Sequence, residues 1–289
     1  MNVVAVFTDS SFFQAAREVA RLLHERGDIE SAKKAINDAI EKYPQDVQLE
    51  HINLLLELLI SLNEFEEALQ VLCKNCGIKF DSDIPASQLS QMPHNDQLKA
   101  FKKVNMPQDL PVDLQAKLVV VLLHLKASHL AWPLAQPLVG LQVSEYGDLM
   151  LDMAEAFMEQ KLFQEASSLL HQLVLDEDYS KAAVWLRYGE CLFETAHLEE
   201  AEAAYQKVVE LAPNHFEARK CLSNILHQLG RFDEALHTLT QDEEAELLNP
   251  TLLYERCLLL LAGKLVVAFI CIFTKNCPLL SKPNMKKKD

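Results

Sequence analysis

The apolar positions of this chain recur with the period of an α-helix, most clearly in the stretch WLRYGECLFETAHLEEAEAAYQKVVELAPN at 185–214. Trp185 and Tyr188 are spaced so that they share one face of a first helix. A second apolar stripe, centred on Tyr205, follows after a short polar break. Pro213 then ends the pattern, because proline cannot continue an α-helix. The stretch therefore predicts two short helices that form a hairpin.

The same pattern returns along the chain with a period near 34 residues, and each copy places an alanine after a Glu-rich turn. These alanines are Ala32, Ala68, Ala166, Ala201 and Ala235. The first two are 36 residues apart, and the last three are spaced by 35 and 34. Such a period indicates stacked helical hairpins, each of which needs its neighbours to bury its apolar face.

Small residues lie where the two helices of a hairpin have to approach each other. In the hairpin at 185–214, Gly189 and Ala201 are small, whereas Tyr205 is large enough to fill the remaining space. A degenerate hairpin is predicted at 112–145, with its second helix interrupted by several residues that fit the pattern poorly. These are Trp132, Pro133 and Pro137.

This pattern resembles the tetratricopeptide repeat, which combines a tryptophan, a glycine, an alanine, an aromatic residue and a final proline at set spacings. Residues 185–213 match it through Trp185, Gly189, Ala201 and Pro213, with Tyr205 as the aromatic. The first repeat, which ends at Pro44, matches less fully. The resemblance implies an all-α fold, a tetratricopeptide-repeat α-solenoid whose hairpins form a right-handed superhelix.

Breaks in the pattern divide the chain into blocks. The segment 77–111 has four prolines and many Ser, Asp, Asn and Gln residues, which leaves too little apolar area to offset the entropy lost on ordering.

The tail does not continue the repeat, so we expect a truncated or alternative form of a longer array. The predicted organisation is a flexible start at 1–11, about two repeats at 12–76, a flexible linker at 77–111 with one turn of helix at 96–103, one degenerate and three clearer repeats at 112–249, the first helix of an incomplete repeat at 250–262, and an atypical tail at 263–289.

Charge and motifs argue against catalysis and against direct binding of nucleic acid. The net charge of −15 disfavours contact with a phosphate backbone. The chain has no HExxH, no phosphate-binding glycine-rich loop and no GxSxG, so we predict no enzymatic activity, no cofactor and no metal. Cys73 and Cys76 form a CxxC at the end of a predicted helix, where the helix dipole does not favour a thiolate.

In the tetratricopeptide family, a set of positions on each first helix lines a concave groove. When these positions are placed on the corresponding residues of each repeat here, the resemblance implies the following partner-binding residues: Arg17, Arg21, Asp148, Glu155, Glu159, Glu190, Glu194, Lys220 and Asn224. The acids suggest a central groove that takes a basic or mixed segment of a partner. The alternative, that they are ordinary solvated residues, stays open.

Chaperone-binding members of the family hold a C-terminal carboxylate in a clamp of Lys and Asn side chains. Lys220 and Asn224 match one part of that clamp, but Glu190 in the adjoining repeat would repel a carboxylate. A co-chaperone-type adaptor is therefore kept as one alternative. A membrane-tethered assembly factor is the other, anchored through the apolar run at 257–273 and retrieved by the terminal KKKD.

Two stretches resemble a narrower family. MPQDLPVDLQAKLVVVLLHL at 106–125 and AAREVARLLHERGDIESAKKAINDAIEKYPQD at 15–46 are similar to the tetratricopeptide-repeat subunits of general transcription factor IIIC. The resemblance runs from about residue 12 to 262. It implies a nuclear scaffold whose partners are the other subunits of that factor and components of initiation factor IIIB, and so RNA polymerase III. It implies DNA contact only through the complex, no small-molecule substrate and no membrane.

Overall fold

The computed structural model describes residues 9–85, 88, 92, 94–241 and 249–262, and these residues are mainly helical. The helices are α1 (Asp9–Glu25), α2 (Ile29–Lys42), α3 (Leu49–Ser61), α4 (Phe65–Asn75), α5 (His94–Ala100), α6 (Val112–His124), α7 (Ser128–Ala135), α8 (Val143–Glu159), α9 (Phe163–Leu175), α10 (Ala182–Glu194), α11 (Leu198–Leu211), α12 (Phe216–Gln228), α13 (Phe232–Thr238) and α14 (Pro250–Ala262). The predicted atypical tail at 263–289 and most of the predicted flexible start lie outside the described residues.

The chain divides into two compact units between Leu169 and Leu170. The first unit holds α1 to α8 and the start of α9, and the second holds the rest of α9 and the helices after it. The domain boundaries given above stay a prediction. The helix predicted at 250–262 is present as α14.

Every hairpin in the described part of the chain closes with the same three-residue turn. The middle residue of each turn has a positive φ, a conformation that residues other than glycine rarely adopt. These middle residues are Gly27 (φ 80°), Asn63 (61°), Lys126 (60°), Lys161 (59°), Ala196 (61°) and Gly230 (78°). After α10, for example, the amide of Ala196 donates to the carbonyl of Phe193 at 3.0 Å, and the amide of His197 donates to that of Leu192 at 2.9 Å. The turn satisfies carbonyls at the end of the first helix and reverses the chain.

Replacing Ala196 by glycine is expected to stabilise the second unit by about 0.5 to 1 kcal/mol, because glycine adopts a left-handed φ without steric cost. Urea unfolding followed by circular dichroism measures the change. Ala203→Gly is the matched control, since Ala203 is also exposed but lies inside α11. The control is expected to destabilise by about 1 kcal/mol. A loss of stability in Ala196→Gly would contradict the strained turn.

The segment 77–111 is more ordered than we predicted. Strands β1 (Lys79–Ser82) and β2 (Phe101–Asn105) form an antiparallel pair, with Phe80 opposite Val104. The expected helical turn at 96–103 is wrong in its extent, because α5 ends at Ala100 and β2 follows at once. Ile78, Leu98 and Val104 are all less than a tenth exposed, so a few apolar residues order a segment whose average composition is polar.

The degenerate hairpin has the interrupted second helix that its sequence predicts. Helix α7 has only eight residues, contains Pro133, and passes into a 3₁₀ turn at Gln136–Gly140. Trp132 still packs edge-to-face against Phe157 of α8, with ring centroids 5.7 Å apart. The hairpin therefore remains part of the stack although its second helix is short.

In the second unit, α10 and α11 pack closely at the glycine that the pattern singled out. A Cβ placed on Gly189 would lie 3.2 Å from Cε2 of Tyr205, and the Tyr205 side chain is only 3% exposed. Ala201 is fully buried beside it. The predicted arrangement of small residues around one large ring is confirmed.

Candidate protein-binding groove

The first helices of four hairpins line one groove of about 430 Å³ in the first unit. Helices α1, α3, α6 and α8 contribute to it. Its apolar lining is buried or half-buried and consists of Ile60, Ala116, Val120, Leu149 and Ala156. The groove therefore offers apolar surface contributed by several helices.

Charged side chains surround this apolar surface, and most of them are acidic. The acids are Glu57, Asp152, Glu155 and Glu159, and the lysine among them is Lys117. The ammonium of Lys117 donates to Oε1 of Glu57 at 2.7 Å and to Oδ1 of Asn53 at 2.5 Å. Its charge is therefore engaged with α3.

Partial burial, and then the neighbouring acids, alter the titration of Asp152. Partial burial raises the pKa of its carboxyl, and the charges of Glu155 and Asp148 raise it further, while Lys117 opposes them. A cation placed in the groove would relieve this repulsion, because an opposite charge nearby favours the ionised carboxylate.

His124 does not supply that cation at neutral pH. Its ring stacks on Phe65 with centroids 4.0 Å apart, and its Nδ1 lies 3.6 Å from Oε2 of Glu159. Burial lowers the pKa of His124, although Glu159 opposes the shift. A pKa below the ordinary histidine value leaves the ring neutral near pH 7.

The structure brings together part of the predicted site in the first unit. Glu155 and Glu159 line the groove, and Asp148 lies close enough for its charge to act on Asp152. Arg17 and Arg21 do not line it. Arg17 pairs with Glu50 at 3.2 Å, and Arg21 lies 3.9 Å from Glu18.

Three charged residues of the groove were missed by the sequence reasoning: Glu57, Lys117 and Asp152. The sequence reasoning assigned the family's groove positions neither in the repeat that contains Glu57 nor in the degenerate repeat that contains Lys117. Asp152 is not among the residues that the resemblance assigns in its repeat, yet it lines the groove.

In the second unit, the predicted residues form two separate groups. Glu190 and Glu194 are on the surface of α10, where desolvation by the surrounding protein raises the pKa of Glu190 first and the charge of Glu194 raises it further. Lys220 and Asn224 of α12 line a small cavity of about 170 Å³ next to α14. There Lys220 forms an ion pair with Glu255 at 2.8 Å, which argues against a free lysine for a carboxylate clamp.

Reactive and metal-binding chemistry finds no support in the described residues. Burial raises the pKa of both Cys73 and Cys76, which disfavours the reactive thiolate. No cluster of three or more His, Cys, Asp or Glu side chains in the described ranges is arranged to hold a metal ion.

The apolar run proposed as a membrane anchor falls only partly within the described residues. Among the helices of the described residues, none is long and apolar enough to cross a membrane. Of the apolar run at 257–273, residues 263–273 lie outside the described residues, as does the terminal KKKD.

The comparisons with known proteins agree with this architecture. Two family models, both described as tetratricopeptide repeat, match residues 151–216 and 204–237. The chain therefore contains tetratricopeptide repeats at 151–237. The all-α solenoid prediction is thereby confirmed.

The narrower resemblance is also confirmed. This tetratricopeptide-repeat chain is 35% identical over 278 residues to human general transcription factor 3C polypeptide 3, an alignment that covers 92% of this chain. It spans only 31% of the length of that relative.

Two solved structures show distant similarity to this tetratricopeptide-repeat chain. A tetratricopeptide repeat protein from Parabacteroides merdae ATCC 43184 is 12% identical, with a TM-score of 0.49 over 93% of this chain and 96% of that chain. The C-terminal part of a TPR repeat-containing protein from Cytophaga hutchinsonii is 12% identical, with a TM-score of 0.49 over 85% of this chain and 80% of that chain. Neither similarity is close enough to support a functional argument.

Proposed function

We propose that this chain is a non-enzymatic, nuclear protein-binding scaffold of the RNA polymerase III transcription machinery. In this role it holds other subunits of transcription factor IIIC and recruits components of initiation factor IIIB through its repeat array. It contacts DNA only through the assembled complex. The observation that carries the proposal is the 35% identity to a subunit of that factor, spread over 92% of the chain.

The architecture supports a scaffold. Each hairpin buries its apolar face against its neighbours, and the first helices leave a groove in the first unit that a partner can enter. The net charge of −15 favours protein partners over a phosphate backbone. The remaining predicted residues stay proposed contacts for these partners: Arg17, Arg21, Asp148, Glu190, Glu194, Lys220 and Asn224.

Affinity purification of the tagged chain from nuclear extract, followed by mass spectrometry, tests the proposal. Subunits of transcription factor IIIC and components of initiation factor IIIB are expected to co-purify, because the chain resembles a subunit of that complex. Treatment of the extract with nuclease is expected to leave the association intact, since it depends on protein contacts.

Other outcomes would contradict the scaffold role. Recovery of chaperones, lost in Lys220→Ala, would support the co-chaperone alternative. Resistance of the chain to carbonate extraction from membranes would support the membrane-tethered alternative. Loss of all partners after nuclease treatment would show that DNA holds the association together.

A further inference from the structure

We propose that charged residues between successive second helices determine which hairpin can stack on which, so that hairpins of similar shape are not interchangeable. The surface of α2 accepts the acidic residues at the start of α4, and the surface of α11 accepts the basic residue just before α13. The inference concerns contacts within the array and is independent of the proposed function.

Three positions of the repeat carry this specificity, and each is defined by its distance from the aligned alanine of its hairpin. The first position follows the alanine of one hairpin by one residue. The second and third precede the alanine of the next hairpin by four residues and by one, and the second is also the last residue of the shared turn. Each set of three forms a charge triad: Lys33, Glu64 and Glu67 between α2 and α4, and Glu202, Arg231 and Glu234 between α11 and α13.

In the first triad, a lysine of α2 lies between two acids of the next hairpin. The ammonium of Lys33 donates to Oε2 of Glu67 at 2.9 Å, and it also donates to Oε2 of Glu64. The Lys33 side chain is only 16% exposed, so its charge is largely withdrawn from water and depends on these two carboxylates. A base in place of Glu64 would therefore face the Lys33 ammonium directly.

The second triad uses the same positions with the opposite charge at the first two. Nη1 of Arg231 donates to both carboxylate oxygens of Glu202 at 2.7 Å, while Nε and Nη2 donate to Glu234 at 2.7 and 2.6 Å. The Glu202 side chain is 16% exposed, the same fraction as that of Lys33. The least exposed member of each triad is thus the residue of the earlier helix, and its sign differs between the two units.

The same three positions are apolar between α4 and α7. Leu69 follows the aligned alanine of α4, and Ala127 and Leu130 precede Ala131, which takes the aligned position in α7. Leu69, Ala127 and Leu130 are each less than a tenth exposed. Hairpins that share one backbone pattern therefore offer a positive, a negative or an apolar surface to the hairpin that follows.

An exchange of neighbours would bring like charges together. If the hairpin of α13 stacked on α2, Arg231 would meet Lys33, and if the hairpin of α4 stacked on α11, Glu64 would meet Glu202. Like charges that are partly withdrawn from water repel each other strongly, whereas the native triads pair opposite charges. A charged surface stacked on the apolar surface of α4 would instead leave a charge without a partner.

An exchange of the first two positions tests the proposal in the full chain. Lys33→Glu reproduces the surface of α11 facing α4, and Glu64→Arg reproduces α2 facing the hairpin of α13. The double variant carries the matched charges of the second triad in the first unit. Lys33→Glu is expected to raise the equilibrium constant for unfolding of the first unit by about tenfold, and Glu64→Arg by a smaller factor. The double variant is expected to return to within about threefold of the starting chain.

Urea unfolding followed by the fluorescence of Trp132 measures these changes in the first unit. The chain has two tryptophans, so every variant and the starting chain carry Trp185→Phe, which leaves Trp132 as the reporter. High salt is expected to reduce the loss in Lys33→Glu, because it screens the repulsion.

Lys34→Glu is the matched control, because it makes the same change of charge in the same helix. Lys34 is exposed on α2 and lies outside the triad, so this variant is expected to unfold like the starting chain. Equal losses in Lys33→Glu and Lys34→Glu would overturn the proposal, since the effect would then come from net charge.

The double variant decides whether the charges recognise each other. Losses that simply add in the double variant would overturn the proposal, because ordinary surface ion pairs contribute little and do not select neighbours. If circular dichroism shows that Lys33→Glu does not fold, a folded double variant supports the proposal and an unfolded one overturns it.

Discussion

Tyr205→Ala is expected to lower the free energy of unfolding of the second unit by about 3 to 5 kcal/mol, the range for removing a buried aromatic ring. The ring is 3% exposed and lies against Gly189, so its loss leaves a cavity between α10 and α11. Urea unfolding followed by the fluorescence of Trp185, a tryptophan of the same unit, measures the change.

Tyr254→Ala is the control for this prediction. Tyr254 is on α14 in the same unit, but its side chain is 62% exposed. Its removal is expected to change stability by less than about 0.5 kcal/mol, as is common for surface substitutions. Similar effects of the two variants would mean that the ring of Tyr205 is not packed as described.

Gly189→Leu is expected to destabilise the second unit by about 3 kcal/mol, because the added side chain has to displace the ring of Tyr205. Even the first added carbon would lie 3.2 Å from that ring. Gly189→Ala is expected to have a much smaller effect, since the close contact offsets a gain in helix propensity of about 1 kcal/mol. Thermal and urea unfolding of the two variants measure the difference.

A double variant shows whether the two residues act on each other. Leucine at 189 and alanine at 205 exchange the large and the small residue across one contact. The double variant is therefore expected to be more stable than the sum of the two single losses predicts. If the two losses of stability simply add, the strain caused by Gly189→Leu lies elsewhere in the hairpin and not at the contact with Tyr205.

Much of the fold follows from the spacing of large and small residues. The period near 34 aligns Gly189 with Ser223 and Tyr205 with Leu239, so the hairpins and their contacts could be predicted from one well-formed copy. The turns could be predicted only where glycine occupies them. Ala196 adopts the same left-handed conformation as Gly230 because the packed helices on either side impose it.

The candidate groove was only partly predictable. Glu155 and Glu159 followed from the phase of a clear repeat, and both line the groove. Lys117 lies in the degenerate hairpin, where prolines obscure the phase. Asp152 also lines the groove, and a repeat period alone does not specify every residue of a helix that faces the groove.

The segment at 77–111 shows a limit of reasoning from composition. Its prolines and polar residues predict disorder on average, yet Ile78, Leu98 and Val104 are buried around a two-stranded sheet. Burial depends on which apolar residues find packing partners in space, and an average over the segment hides the three that are buried.

The shared turn has a consequence for how such chains change in length. Its geometry is local to three residues and recurs unchanged whether the middle residue is Gly27, Lys161 or Ala196. A duplication or deletion of one whole period therefore leaves every remaining reversal intact and exchanges one hairpin neighbour for a similar one. Gene variants that gain or lose complete hairpins keep each turn and the helices that flank it, whereas variants whose boundary falls within a helix do not.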